Sequence, residues 1–191
     1  DRLVLLSPAV WGWRAQPLPY KTLFWFAANF TGPKVYTPPE WLTAKVKPTD
    51  NREEYVAMGR DPLMVWGARS DTLYGLVTTM DLAADAIGKS NLPTIYLYGA
   101  HDEIIPRKAA FKAAARLRPQ DRSAYYAQGW HLLTRDIEGP LVWKDIAAFI
   151  RDPAAPLPSG APKIPAGPAP AQSSSAKGPA SSGTDETPRC P

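Results

Sequence analysis

Three short apolar runs stand out along the chain, each bounded by turn formers or polar residues. Leu3-Val4-Leu5-Leu6-Ser7 stops at Pro8, Thr94-Ile95-Tyr96-Leu97-Tyr98 stops at Gly99-Ala100, and Arg122 to Ala127 forms the third. Their length and their β-branched and aromatic content read as buried strands. Elsewhere the apolar period becomes helical. Pro106 opens a helix through Lys108, Ala109, Ala110, Phe111, Ala114 and Leu117, with proline in a favoured place near the start. After Gly139-Pro140, the spacing of Leu141, Val142, Ile146, Phe149 and Ile150 is again helical. Strand, helix, strand, helix in close succession predicts right-handed crossovers and a parallel sheet, an α/β fold.

Between the first two strands lie more than eighty residues, too many for a crossover. The interval, about residues 10–89, therefore reads as an inserted and mainly helical subdomain. It holds Trp11, Trp13, Trp25, Trp41 and Trp66, five of the seven tryptophans, with Phe24, Phe26, Phe30 and Tyr36 nearby. These aromatics are expected to form the insert's own core, with some facing a cleft for an apolar chain. Helical signals run from Glu53 to Ile87 and break at Asp61-Pro62.

Composition changes after Arg151. From Pro153 to Pro191 the chain is mostly Pro, Ala, Ser, Gly and Lys, which offers too little apolar surface to offset ordering entropy. Residues 1–152 are thus expected to form the folded domain and 153–191 a disordered tail. The only cysteine is Cys190, so neither a disulfide framework nor a thiolate metal cluster can form. The net charge of +4 is spread among acidic residues, and nothing marks a nucleic-acid surface.

In a parallel sheet, ligands sit beyond the carboxyl ends of the strands. Asp102, in "YGAHDEIIP", follows the second strand, and His131, in "GWHLLTRD", follows the third. Neighbouring strand ends bring this acid and imidazole to one crevice. A carboxylate fixes the imidazole tautomer and stabilises the imidazolium, and a nucleophile is needed on the other side. The order acid then histidine is the one found in α/β-hydrolases. His101, adjacent to Asp102, should point elsewhere and sit at the rim. Glu103 reads as a rim or capping acid, and Asp136 and Glu138 as acids at the amino end of the last helix.

The stretches "LVLLSPAVWGW", "MGRDPLMVWGARSDTLYGLVTTMDLA", "LPTIYLYGAHDEIIP" and "GWHLLTRD" together resemble the lysophospholipase and monoacylglycerol lipase branch of the α/β-hydrolases, across most of residues 1–150. The resemblance implies that Asp102 is the triad acid, that His131 is the triad base, and that the insert is a cap over an acyl-binding cleft. It implies a serine hydrolase of carboxylic esters acting on a lysophospholipid or other acyl-ester substrate, with no metal or organic cofactor. An aminopeptidase or acyltransferase on the same framework remains an alternative. So does a non-catalytic module that binds an apolar ligand or a partner.

The Gly-x-Ser-x-Gly elbow of that family is missing: Ser7, Ser70, Ser90 and Ser123 all lack the flanking glycines. The elbow would precede the strand "LVLLSPAV", so the sequence is expected to be the C-terminal part of an α/β-hydrolase, lacking on the order of 100 residues or more. The chain alone is then expected to be poorly stable and hydrolytically inactive, with Leu3 to Ser7 as an unpaired edge. Any membrane association would come through the missing N-terminal portion. No stretch of 18 or more apolar residues occurs, and cytoplasmic and membrane-associated settings both stay open.

Overall fold

The computed structural model describes residues 1–37 and 46–165. Trp41 and the tail beyond Pro165 lie outside the described residues. Three strands form a parallel sheet in the order β1 (Leu3–Leu6), β4 (Thr94–Gly99), β5 (Arg122–Tyr126). Leu3 pairs with Thr94 and Leu6 with Leu97 on one side of β4, while Ile95 pairs with Arg122 and Gly99 with Tyr126 on the other. All six residues of β4 are buried, as a continuous apolar run requires in a strand covered on both faces.

Alternation along β4 separates two cores. Tyr96 and Tyr98 point to one face, where they meet Ile105 and the Ala110, Phe111, Ala113 and Ala114 side of α4 (Arg107–Ala114). Ile95 and Leu97 point to the other and meet Leu133, Val142 and Phe149 beneath α5 (Gly139–Arg151). Asp121, buried just before β5, clamps the amino ends of the strands. It accepts the Thr94 amide at 3.2 Å and Arg118 Nη2 at 2.7 Å.

The insert contains α1 (Leu18–Thr31), a two-stranded antiparallel ribbon of β2 (Val35–Tyr36) and β3 (Ala68–Arg69), α2 (Arg52–Arg60) and α3 (Ser70–Ala86). Asn51 caps α2 by accepting the amides of Glu53 and Glu54, two otherwise unpaired donors. Arg14 binds Asp85 of α3 with both guanidinium nitrogens, at 2.7 and 2.6 Å, and Arg116 beyond α4 joins them at 2.9 Å. Hydrogen bonds from Arg14 and then Arg116 draw the Asp85 carboxyl down to about 2. The aromatic core expected for the insert is partial. Trp13 packs with Phe24 and Tyr74, whereas Trp25, Phe26, Phe30, Tyr36 and Trp66 are exposed and α1 has no buried residue.

The expected boundary of disorder at Pro153 needs correction. Residues 153–165 follow a fixed path anchored at two buried side chains. Leu157 is buried on the α5 face and Ile164 on the α4 face, so the segment wraps the sheet from one core to the other. The Tyr125 amide donates to the Pro162 carbonyl at 2.8 Å, and the Ile164 amide donates to Ser123 Oγ at 3.1 Å. The segment therefore runs back antiparallel along the outer edge of β5. Buried Asp145 of α5 holds it by accepting the Ser159 amide, at 2.8 Å, and hydroxyl, together with the Tyr126 hydroxyl at 2.7 Å. Two isolated apolar anchors suffice because the intervening prolines lack N–H groups needing partners, whereas composition averages the anchors away. Replacing Ile164 by Ala in the full-length protein should cost about 2–4 kcal/mol, read as a lower urea midpoint. An unchanged midpoint would mean that this segment is not packed.

Candidate active site

β4 and β5 end side by side, and the chain leaving each turns over the same edge of the sheet. The two loops are pressed together there. The Ala100 amide donates to the Tyr126 carbonyl and the His101 amide to the Gly129 carbonyl, both at 2.9 Å. A Cβ on Gly99 would lie 2.4 Å from the carbonyl oxygens of Gly129 and Trp130, and one on Gly129 would lie 3.2 Å from the Gly99 Cα. Backbone meets backbone, and glycine is what allows it.

From these loops Asp102 and His131 converge, with Oδ2 and Nδ1 3.0 Å apart. The Asp102 side chain is fully buried, and that of His131 is 21% exposed. Asp102 Oδ1 accepts the amides of Ile104 and Ile105 at 2.9 and 2.8 Å, so both carboxylate oxygens have fixed directions. The loop after it is held in turn by the Tyr98 hydroxyl, which donates to the Ile105 carbonyl at 2.7 Å. Burial, with the nearby Asp102 charge, pushes the Tyr98 phenol well above its ordinary range, which keeps it a donor. Arg107 Nη2 donates to the Ala100 carbonyl at 2.7 Å.

A carboxylate against Nδ1 holds the proton on that nitrogen and leaves Nε2 as the basic site. The pair can therefore accept and return a proton at Nε2 while the charge formed on the ring is stabilised.

His101 is exposed and stacks on Trp130, with centroids 5.3 Å apart and planes 24° apart, at the rim as expected. Glu103 is an exposed rim acid whose Oε2 accepts the Lys47 amide at 2.8 Å. Asp136 departs from its expected place at the last helix. Only its main-chain carbonyl reaches α5, by accepting the Gly139 amide at 2.8 Å. Its buried carboxylate turns back to accept the Trp130 amide and the Thr49 hydroxyl, each at 2.7 Å, and burial raises its pKa. Glu138 stands at the amino end of α5 without a side-chain capping bond.

Ser7 closes β1 at the same edge of the sheet, buried, with φ at 37° and no partner for its hydroxyl among the described residues. Among the described residues, no group of three or more His, Cys, Asp or Glu side chains could hold a metal ion. No helix among them is long and apolar enough to cross a membrane. Sequence reasoning missed Gly99, Gly129, Thr49 and the true role of Asp136. A glycine directly after one strand and another shortly after the next was the available signal for the first two.

The family model described as serine aminopeptidase, S33, matches residues 1–138. The chain belongs to that family. The α/β-hydrolase fold of this S33 member is shared with a monoacylglycerol lipase from Paleococcus ferrophilus, at a TM-score of 0.61 and 18% identity, over 77% of this chain and 57% of that one. A soluble variant of monoglyceride lipase from Saccharomyces cerevisiae, solved in complex with a substrate analogue, gives a TM-score of 0.60 and 14% identity, over 78% and 54%. The chain thus spans little more than half the length of these relatives. Among curated protein sequences, none matches it.

Substituting Asp102 by Ala should release the Ile104 and Ile105 amides and speed their hydrogen exchange by about 10-fold or more. Unchanged protection would show that the loop is held by other groups.

Proposed function

We propose that this chain supplies the acid and base of a serine hydrolase of carboxylic esters, acting on lysophospholipids or monoacylglycerols. The observation that carries this reading is the 3.0 Å contact between His131 Nδ1 and the fully buried Asp102 carboxylate, at the carboxyl edge of a parallel sheet. In the reaction, a serine outside this chain attacks the ester carbonyl while His131 Nε2 takes its proton. The imidazolium, steadied by Asp102, then protonates the leaving alcohol. Water repeats the sequence on the acyl-enzyme. No Gly-x-Ser-x-Gly elbow occurs in these 191 residues, so the nucleophile is assigned to the remainder of the full-length protein.

An apolar acyl chain is favoured by the insert. A groove of about 390 Å³ between α1 and α3 is lined by Trp13, Lys21, Thr22, Trp25, Phe26 and Tyr74. Each CH₂ withdrawn from water onto such a surface contributes roughly 0.8 kcal/mol. The family description favours a second reading, cleavage of aminoacyl amides. A panel of acyl esters and aminoacyl amides separates the two, and a sharp preference for amides removes the lipase reading.

The full-length protein should label with a fluorophosphonate probe, and His131→Ala and Asp102→Asn should each lower the rate by about 10³-fold or more. This chain alone should not label. Absence of labelling in a folded full-length protein would favour a non-catalytic binding module, and labelling of this chain alone would put the nucleophile within it.

A further inference from the structure

Residues 47–51 lead into α2 within the insert, and on the way they touch both loops of the acid–base pair. The Lys47 amide donates to Glu103, next to Asp102, at 2.8 Å. The Pro48 carbonyl accepts the Leu132 amide at 2.9 Å. The Thr49 hydroxyl donates to Asp136 Oδ1 at 2.7 Å, and Asp136 Oδ2 accepts the Trp130 amide at 2.7 Å. Asp50 Oδ1 accepts the Ile137 amide at 2.9 Å. The pattern is specific in one respect: Trp130 and Leu132 are the two residues that flank His131. Both their amides are held by groups that belong to this crossing or are fixed by it.

Thr49 and Asp136 are both buried, at 4% and 5% exposure, so their hydrogen bond is shielded from competing water. A carboxylate with one oxygen on a main-chain amide and the other on a hydroxyl has little freedom to turn. His131 is therefore gripped from both sides along the backbone, while its ring is held by Asp102. The grip on the backbone comes from a part of the chain that lies in sequence between β1 and β4, within the inserted subdomain.

We propose that Thr49 and Asp136 are positioning residues that set His131 through the adjoining Trp130 amide, so that the inserted subdomain keeps the acid and base in register. The catalytic side of this rests on the hydrolase reading above. Both side chains are buried and reach His131 only through the backbone beside it. Their loss should act on turnover rather than on substrate affinity, because a shift well under the length of a hydrogen bond misplaces the proton acceptor.

The test uses the full-length protein with a short-chain nitrophenyl ester, in parallel with amide hydrogen exchange. Thr49→Val keeps the shape and removes the donor, and it should lower kcat by about 10- to 100-fold with KM within about 2-fold. Exchange at the Trp130 amide should accelerate by roughly 10-fold. Thr49→Ser restores the hydroxyl and should recover kcat to within about 3-fold of the parent. Asp136→Asn, whose amide can accept from Trp130 and donate to Thr49, should be milder than Asp136→Ala. Unchanged kcat and exchange in Thr49→Val, a loss confined to KM, or failure of Thr49→Ser to rescue would each overturn the proposal. If the folded parent hydrolyses no ester, the hydrolase reading falls by itself. Exchange at Trp130 then decides the positioning: faster in Thr49→Val sustains it, and equal rates end it.

Discussion

The contact between Gly99 and Gly129 is the constraint on which the rest of the site depends. Two loops that leave adjacent parallel strands can share an edge of the sheet only if their backbones pack without side chains between them. The hydrogen bonds from Ala100 and His101 to Tyr126 and Gly129 follow from that approach. Asp102 and His131 then need only a few residues each to reach one another. The 3.0 Å separation is thus a product of backbone packing before it is a property of the two side chains.

The parallel sheet and the convergence of Asp102 and His131 were legible in the sequence because both are set by local signals. Short apolar runs fix the strands, and chain order fixes which residues leave their carboxyl ends. Thr49 and Asp136 were not legible. They meet across 87 residues of sequence, and nothing in the composition around either one points to the other. In the sequence Asp136 fits a helix-end acid, because an acidic residue just before Gly139-Pro140 suits that role well. Only the fold reveals that the Trp130 amide competes for it and wins. Residues 153–165 escape composition for a related reason: Leu157 and Ile164 are single anchors in a polar, proline-rich background, and their burial depends on a sheet edge that composition does not describe.

The insert contributes in two ways that differ physically. Through α1 and α3 it presents an apolar groove, whose character rests on area and shape. Through residues 47–51 it makes directional hydrogen bonds to the loops of Asp102 and His131. The first tolerates substitution, since many apolar side chains fill a groove. The second does not, because an unpaired buried donor or acceptor has no substitute partner. Variation in the aromatic residues can therefore reshape the groove while the contact between Asp102 and His131 stays constant.

The direction taken by residues 157–164 settles where Pro165 lies relative to the sheet. Pro162 lies opposite Tyr125 and Ile164 opposite Ser123, so the segment travels toward the amino ends of the strands. Pro165 accordingly stands at the pole of the sheet opposite the crevice of His131.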